Sequence, residues 1–342
     1  EAVNYFETSM HVQVHDKFDQ FVFGVYTDGI IYDKLTNEVF YFFYENNRSE
    51  TILELMKKDV TPQKFTAKFL QDTSSEEAYC AEVEIVKEHI RAGNTFQCEV
   101  GSKSEYQITG NPIVMYEKLR KVNPSPFMYY LKFGKKVISG ASPELLFSLR
   151  DGEMTTKPLA GTALRGKDDR EDQQFARALL NDPKEQAEHK MLVDMHRNDI
   201  GKVAKIGTVR VKDFMTVKRF SHVQHISSDI TGLISDNEDM FSSLASNFPA
   251  GTLSGAPKIE SIKIIDANEE AARGPYGGGV GHFGFNGDCT FAIAIRSLFI
   301  DGEYAYSQTS AGIVYDSVPE KEYEEVRRKL AAMKKVLASF EN

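Results

Sequence analysis

Four glutamates at helical spacing, one arginine in an apolar run and a pair of strand histidines are the residues whose types and positions could do chemistry. Glu185 and Glu188 stand three apart near the start of a helical pattern, with His189 beside them. Glu322 and Glu325 repeat the spacing near the end of the chain, with Lys329 one turn beyond Glu325. Side chains three or four apart share a helix face. If the two faces meet, their carboxylates can hold a hard divalent cation, Mg²⁺ first among them. Taken singly, each pair also suits a helix macrodipole, and EKEYEEVRRKLAAMKK reads equally as a solvated helix. Arg296 lies in TFAIAIRSLFI, read as one strand with Phe291, Ile293 and Ile295 on one face and Ala292, Ala294 and Arg296 on the other. A guanidinium there needs an anion, either a structural Asp or Glu or a ligand carboxylate or phosphate held in two-pronged fashion. His225, with His222 three residues before it, is a satisfied strand histidine unless an anionic substrate lies close enough to give it acid–base work.

Two loops rich in small residues accompany these groups. FPAGTLSGAPKIESIKII (248–265) runs into a helix, and GPYGGGVGHFG (274–284) runs into a strand. Glycine allows a backbone to come close to a ligand, so the two loops together predict a polar pocket lined by main-chain N–H groups. Gly279, Gly281 and Gly284 spell G-x-G-x-x-G, but FNGDCTFAIAIRSLFI follows as strand where a dinucleotide site needs a helix. There is no GxxxxGK[ST], GxSxG or HExxH. Cys80, Cys98 and Cys289 are scattered, which gives no nucleophile signature and fits a reducing cytosol.

The elements that must position these groups read as α+β. The chain has 342 residues, 41% hydrophobic and 27% charged, enough for a sizeable core. A net charge of −9 argues against nucleic acid or an anionic membrane as the main partner. No apolar run approaches the ~20 residues of a membrane span, and the first residues lack a signal-peptide core. Residues 1–46 read as strands: the run 12–44 is rich in β-branched and aromatic residues, broken at Asp28-Gly29 and Thr36-Asn37, and predicts an antiparallel meander. A short helix is expected over 49–59 and a polar connector over 62–73. A capping box, Ser74-x-x-Glu77, opens a helix to Ile90. Strands and a helix alternate to about Thr162. A helical block over 169–204 is split at Asp182-Pro183, with Pro183 placed at a first helical position. Strands return after 206, and a last helix runs from Pro319 to about Phe340. The absence of a steady βαβ rhythm predicts antiparallel sheets rather than a doubly wound fold.

Six motifs occur in a fixed order: PLAGTALRG (158–166), EHKMLVDMHRND (188–199), VQHISSDITG (223–232), FPAGTLSGAPK (248–258), GPYGGGVGHFG (274–284) and AGIVYDSVPEKEYEEVRRK (311–329). Together they resemble the chorismate-utilising enzymes over roughly residues 80–340, with the first 50 residues a weaker match. The resemblance implies one α+β domain over 1–342, with two large antiparallel sheets in a sandwich-like core, flanking helices, and the active site between the sheets. It implies that Glu188 and Glu325 bind Mg²⁺, supported by Glu185 and Glu322, and that the ion clamps the ring carboxylate of chorismate. Lys329 would lie near that carboxylate. Arg296 and Tyr276, with N–H groups around Gly312, would hold the enolpyruvyl carboxylate, while Thr252 contacts the ring and Gly161 and Thr162 line the site. Glu144 would be the general acid for the leaving hydroxyl, and His225 would serve the later elimination of pyruvate.

Two positions separate the branches of the family. The isochorismate and salicylate branch carries a water-activating lysine where this chain has Gln97, and glutamine is no base near neutral pH. The aminodeoxychorismate branch commonly carries a lysine nucleophile where this chain has Ala160. With neither lysine, ammonia attack followed by pyruvate loss, the anthranilate synthase pattern, is the expected reaction. Aminodeoxychorismate synthesis is the first alternative, isochorismate or salicylate synthesis a more remote one within the family, and a ligand-binding scaffold role the alternative of a different class. The resemblance further implies a cytoplasmic protein and a separate glutamine amidotransferase subunit as ammonia source. Asn123, Pro124, Ser125, Pro126, Phe127 and Met128 resemble part of a tryptophan feedback site, although the Leu-Leu-Glu-Ser-type segment that usually completes it is not found in this sequence. Ser310 stands where the family often has glycine.

Overall fold

The structure, a computed structural model, describes residues 1–220 and 223–341, so that His222 lies outside the described residues. Its frame is two seven-stranded antiparallel sheets. The first runs Arg210–Arg219, Val223–Leu233, Glu153–Thr156, Leu145–Arg150, Cys289–Ile293, Gly279–Phe283, with Leu159–Leu164 also on Val223–Leu233. The second runs Gly255–Ala256, Gln97–Gly110, Tyr304–Ile313, Ser297–Asp301, Lys136–Ser142, Phe127–Phe133, with Phe65–Asp72 also on Gln97–Gly110. The α+β expectation therefore holds.

Three apolar clusters explain the layering. Cys98, Val100, Tyr106 and Ile108 alternate along Gln97–Gly110 and pack under the helices Glu76–Arg91, Ile113–Val122, Lys258–Asn268 and Pro319–Ala338. The two-residue period of the strand turns Gln97 and Glu99 to the opposite face. Leu146, Phe147, Phe291 and Ile293 of the first sheet cluster with Phe299 and Tyr306 of the second. The helix Pro183–Gly201 lies on the first sheet, N-capped by Asp182 with Pro183 at its start, as expected.

The first third of the chain departs from the expectation. Of the predicted meander only the hairpin Asp28–Asp33 and Glu38–Phe43 forms, and residues 11–27 contain no strand. A strand is a property of a pair, and that apolar segment has no partner edge. The predicted connector over 62–73 is instead the strand Phe65–Asp72, whose polar outer residues reflect its exposure at the sheet edge. Ser75, not Ser74, caps the next helix by accepting from the Ala78 N–H.

Candidate active site

Two neighbouring ribbons cross from one sheet to the other side by side. Lys136–Ser142 in the second sheet continues as Leu145–Arg150 in the first, and Cys289–Ile293 in the first continues as Ser297–Asp301 in the second. Glu144 and Arg296 occupy the two breaks. The ribbons are tied there by Ile293 N–H donating to the Glu144 carbonyl (3.1 Å) and Ala141 N–H donating to the Arg296 carbonyl (3.2 Å). The reading of TFAIAIRSLFI as one strand is thus corrected. Arg296 has φ +52, and the alternation is reset where the chain changes sheet. Its Nη1 donates to the Lys329 carbonyl at 3.0 Å. Among the described residues no carboxylate forms a salt bridge with it, so the structural-partner reading is not what the fold provides. Burial holds its pKa below the ordinary guanidinium value, with Tyr276, Glu325 and Glu144 acting in the other direction.

Beside this corner, Thr252 in the turn Gly251–Leu253 donates to the buried Glu144 carboxyl at 2.8 Å. Burial pushes Glu144 up to about 7, against the pull of the Thr252 hydrogen bond. His225, on Val223–Leu233, donates from Nδ1 to the Gly161 carbonyl at 2.7 Å, with Thr162 Oγ1 at 3.2 Å. That bond fixes the tautomer and leaves Nε2 as an acceptor. Burial lowers the imidazole pKa, which favours the neutral base. Gly161 has φ +63, and a Cβ there would stand 2.6 Å from a Glu185 carboxylate oxygen. Only glycine allows this joint between His225 and Glu185.

The helix carrying Glu185 and Glu188 is held to the sheet by its histidines. His189 Nε2 pairs with Ser228 Oγ and His196 Nδ1 with Thr156 Oγ1, each at 2.7 Å. Asp199 takes Lys258 at 2.7 Å, tying the helix to the one that follows the 248–257 loop. His189 is therefore an anchor and does not join the glutamates. Glu188 is pushed up to about 7 by burial and then by Glu185, Glu99 and Glu325. Burial also raises Glu185 and Glu322, and both feel Glu325. Glu325 lies below the ordinary range: burial pushes it up, but Lys329, 2.8 Å away, together with Arg328 and Lys184, outweighs that burial. The two acidic helix faces thus lie within electrostatic reach of one another, and Glu322 is buried rather than solvated. Among the described residues, no three acidic, histidine or cysteine side chains converge tightly enough to enclose an ion.

Glu99 was not singled out from the sequence. It is buried, accepts from Ser310 Oγ, and its carbonyl accepts from Arg273 Nη2 at 3.1 Å. Ser310 Oγ also pairs with Tyr276 Oη at 2.8 Å, and the Ser310 carbonyl accepts from Lys329 Nζ at 2.7 Å. Glu99 and Gln97 both lean over Gly312, where a Cβ would stand 2.8 Å from Glu99 Oε1 and 2.4 Å from Gln97 Nε2. The two-residue spacing from Gln97 on a strand was the available signal. Arg273, equally unforeseen, links the two small-residue loops: it pairs with Glu269 and donates to the Leu253 carbonyl at 2.6 Å.

The glycine loops do meet, but the expected lining of free N–H groups is corrected. The N–H of Gly277 bonds to Ala294, that of Gly278 to Pro275 and that of Gly284 to Asp288, so these donors are consumed within the fold. An apolar cavity of about 1870 Å³ flanks the same loops, walled by Phe21, Phe23, Phe241 and Phe283. Glu144, Thr252, His225 and the four glutamates lie outside its walls. The 123–128 turn sits behind the cations: Asn123 shares a small cavity with Arg296 and Lys329, while Phe127 and Met128 begin the strand beside Ser142 and Ala141.

A carboxyl raised to about 7 by burial, a histidine with a fixed tautomer, two cations and two acidic helix faces are groups that an enzyme's active site could use. The chain belongs to the chorismate binding enzyme family, which matches residues 1–335. It is 52% identical over 343 residues to anthranilate synthase component 1 of Leptospira biflexa, covering 98% of this chain and 74% of that one. It is 43% identical over 318 residues to the same component of Methanothermobacter thermautotrophicus, covering 93% and 68%. Anthranilate synthase component I of Streptococcus pneumoniae superposes with a TM-score of 0.85 at 32% identity, covering 97% and 78%. The menaquinone-specific isochorismate synthase of Escherichia coli, 23% identical with a TM-score of 0.73 over 87% of this chain and 71% of that one, shares the fold.

Proposed function

We propose that this chain converts chorismate and ammonia to anthranilate and pyruvate, the committed reaction of tryptophan biosynthesis. The observation that carries the choice among family reactions is Gln97. It is buried over Gly312, in the position from which another branch activates water, and it offers an amide where a base is required. Ala160 likewise places a methyl group, not an amine, on Leu159–Leu164.

Each step falls to a named group. Arg296 and Tyr276 hold the enolpyruvyl carboxylate, and Lys329 stands by the ring carboxylate. Glu144, protonated near neutral pH, gives its proton to the C4 hydroxyl, which leaves as water as ammonia attacks C2. His225 Nε2 then accepts the C2 proton as the enolpyruvyl C–O bond breaks; the ring becomes aromatic, and the departing enolpyruvate takes up a proton at its methylene carbon to become pyruvate. Glu188 and Glu325, with Glu185 and Glu322 beside them, would hold Mg²⁺. Their crowding fits such a cation, since three of the four carboxyls are pushed upward by burial and like charge. When bound, the ion neutralises the ring carboxylate and favours loss of the hydroxyl.

Ammonia is supplied by a separate glutamine amidotransferase subunit, and the 123–128 turn is part of a site for tryptophan as inhibitor. No helix among the described residues is long and apolar enough to cross a membrane, and the cytoplasm is the compartment we assign. The test is incubation with chorismate, Mg²⁺ and ammonium at alkaline pH, read by anthranilate fluorescence. Accumulation of aminodeoxychorismate or isochorismate instead would reject the assignment.

A further inference from the structure

Ser310 Oγ has one hydrogen to give and two neighbours to satisfy, Glu99 and Tyr276. If Glu99 is ionised it takes that hydrogen. Tyr276 must then donate its own to Ser310 and has none left for a ligand. If Glu99 is protonated the chain reverses. Glu99 donates to Ser310, Ser310 donates to Tyr276, and the phenol proton points away from the chain. All three residues are buried, so water does not rewrite this accounting.

We propose that Glu99 is a positioning residue: through Ser310 it sets the donor direction of Tyr276, and with it the grip on the substrate carboxylate. The inference rests on the reading above that Tyr276 holds that carboxylate. Binding the anion then requires the protonated form of Glu99, so tight chorismate binding takes up one proton at this residue.

Charged groups of both signs face Glu99. From the C-terminal helix, Lys329 favours the carboxylate and Glu325 opposes it. Arg273 favours it from the glycine loop, with its own charge shared by Glu269. Glu188 and Glu144 approach from the first sheet and its helix, and Tyr79 from the helix on the outer face. Burial outweighs the cations and displaces Glu99 upward.

The test is a double-mutant cycle read as chorismate Kd against pH, with Mg²⁺ present and ammonia omitted, on the whole protein. Glu144, Glu188 and His225 also titrate in the site, so the quantity of interest is the ratio of Kd values between Tyr276→Phe and wild type, in which their common contribution cancels. The ratio should be about tenfold or more at the acid end, the worth of a hydrogen bond to a charged group, and should fall toward one as Glu99 ionises. In a Glu99→Gln background, where nothing titrates at this position, the ratio should be the same at every pH. Should Glu99→Gln misfold, Ser310→Ala replaces it: the phenol loses its competing acceptor and the ratio should again be constant. A ratio independent of pH in the wild-type background overturns the proposal, because Glu99 would then act by charge alone. Wild-type protein that makes anthranilate yet shows that flat ratio rejects only the proposal, whereas protein that neither binds chorismate nor makes anthranilate rejects the function as well.

Discussion

Thr252 donates a hydrogen bond of 2.8 Å to the carboxyl of Glu144, 108 residues away in sequence. Thr252 comes from the loop after the helix Met240–Asn247, Glu144 from the break between the sheets. The bond sets the acid strength of the site. A hydroxyl donating to a carboxylate favours the charged form, so Thr252 lowers a pKa that burial has raised to about 7. The active form of a general acid is protonated, and activity should therefore decline above about pH 7. Removing the donor in Thr252→Val should raise the Glu144 pKa and move the alkaline limb to higher pH. A pH–rate profile at constant free ammonia would show it. Glu144→Gln should lose roughly 10²-fold or more in kcat with an unchanged melting temperature.

His225 is held by a main-chain acceptor, the Gly161 carbonyl, so its Nε2 is the basic nitrogen. His225→Met should slow pyruvate elimination while leaving amination intact, and the aminated, non-aromatic intermediate should accumulate. Chromatography of the reaction mixture distinguishes this from wild type. Anthranilate formation at the normal rate would make the histidine structural. Gly161→Ala should disturb both functions, because its Cβ would strike Glu185 and its φ of +63 is unfavourable for alanine.

The sequence carried the antiparallel α+β class through turn signals and the missing βαβ rhythm, and the acidic helix faces through their spacing. It did not carry the break at Arg296. Both sheets present apolar strands to the interior, so a chain passing from one to the other keeps an unbroken apolar run, and nothing local marks the change. Nor did it show residues 11–27 as strandless, since composition reports the wish to be buried and not the presence of a partner edge. Glu99 was within reach, two residues from Gln97. Its role depends on Ser310 and Tyr276, which lie far along the chain and meet it only through sheet register and loop packing.

The acidic faces make a stability prediction that needs no turnover. Glu185, Glu188, Glu322 and Glu325 repel one another in a partly buried space, so Mg²⁺ should raise the melting temperature by binding the folded state alone. At an ion concentration 100 times Kd the gain is about 2.7 kcal/mol. Without the ion, Glu188→Gln should melt no lower than wild type, and Glu325→Gln, which loses its Lys329 pair, somewhat lower; each should lose most of that gain. Calorimetric scans with and without Mg²⁺ measure both effects. An undiminished gain in Glu325→Gln would remove that residue from the ion site.

A last prediction concerns His196, which anchors the acidic helix to the sheet and takes no part in the chemistry. Its Nδ1 pairs with Thr156 Oγ1, while Nε2 is buried without a partner among the described residues. Burial lowers its pKa to about 4, with Lys258 and His189 adding to the shift and Asp199 opposing it. The unfolded chain binds a proton here near pH 6.5, and the folded one only near 4. Above 6.5 both states are neutral and the group is silent. As pH falls from 6.5 to 4 only the unfolded state gains the proton, so stability declines, by at most about 3 kcal/mol. Urea unfolding between pH 7 and 4 should show this loss. His196→Asn keeps a polar partner for Thr156 but does not titrate; it should be less stable at pH 7 and should show a correspondingly smaller loss on acidification. An equal acid loss in both proteins would mean that other groups account for the whole of it.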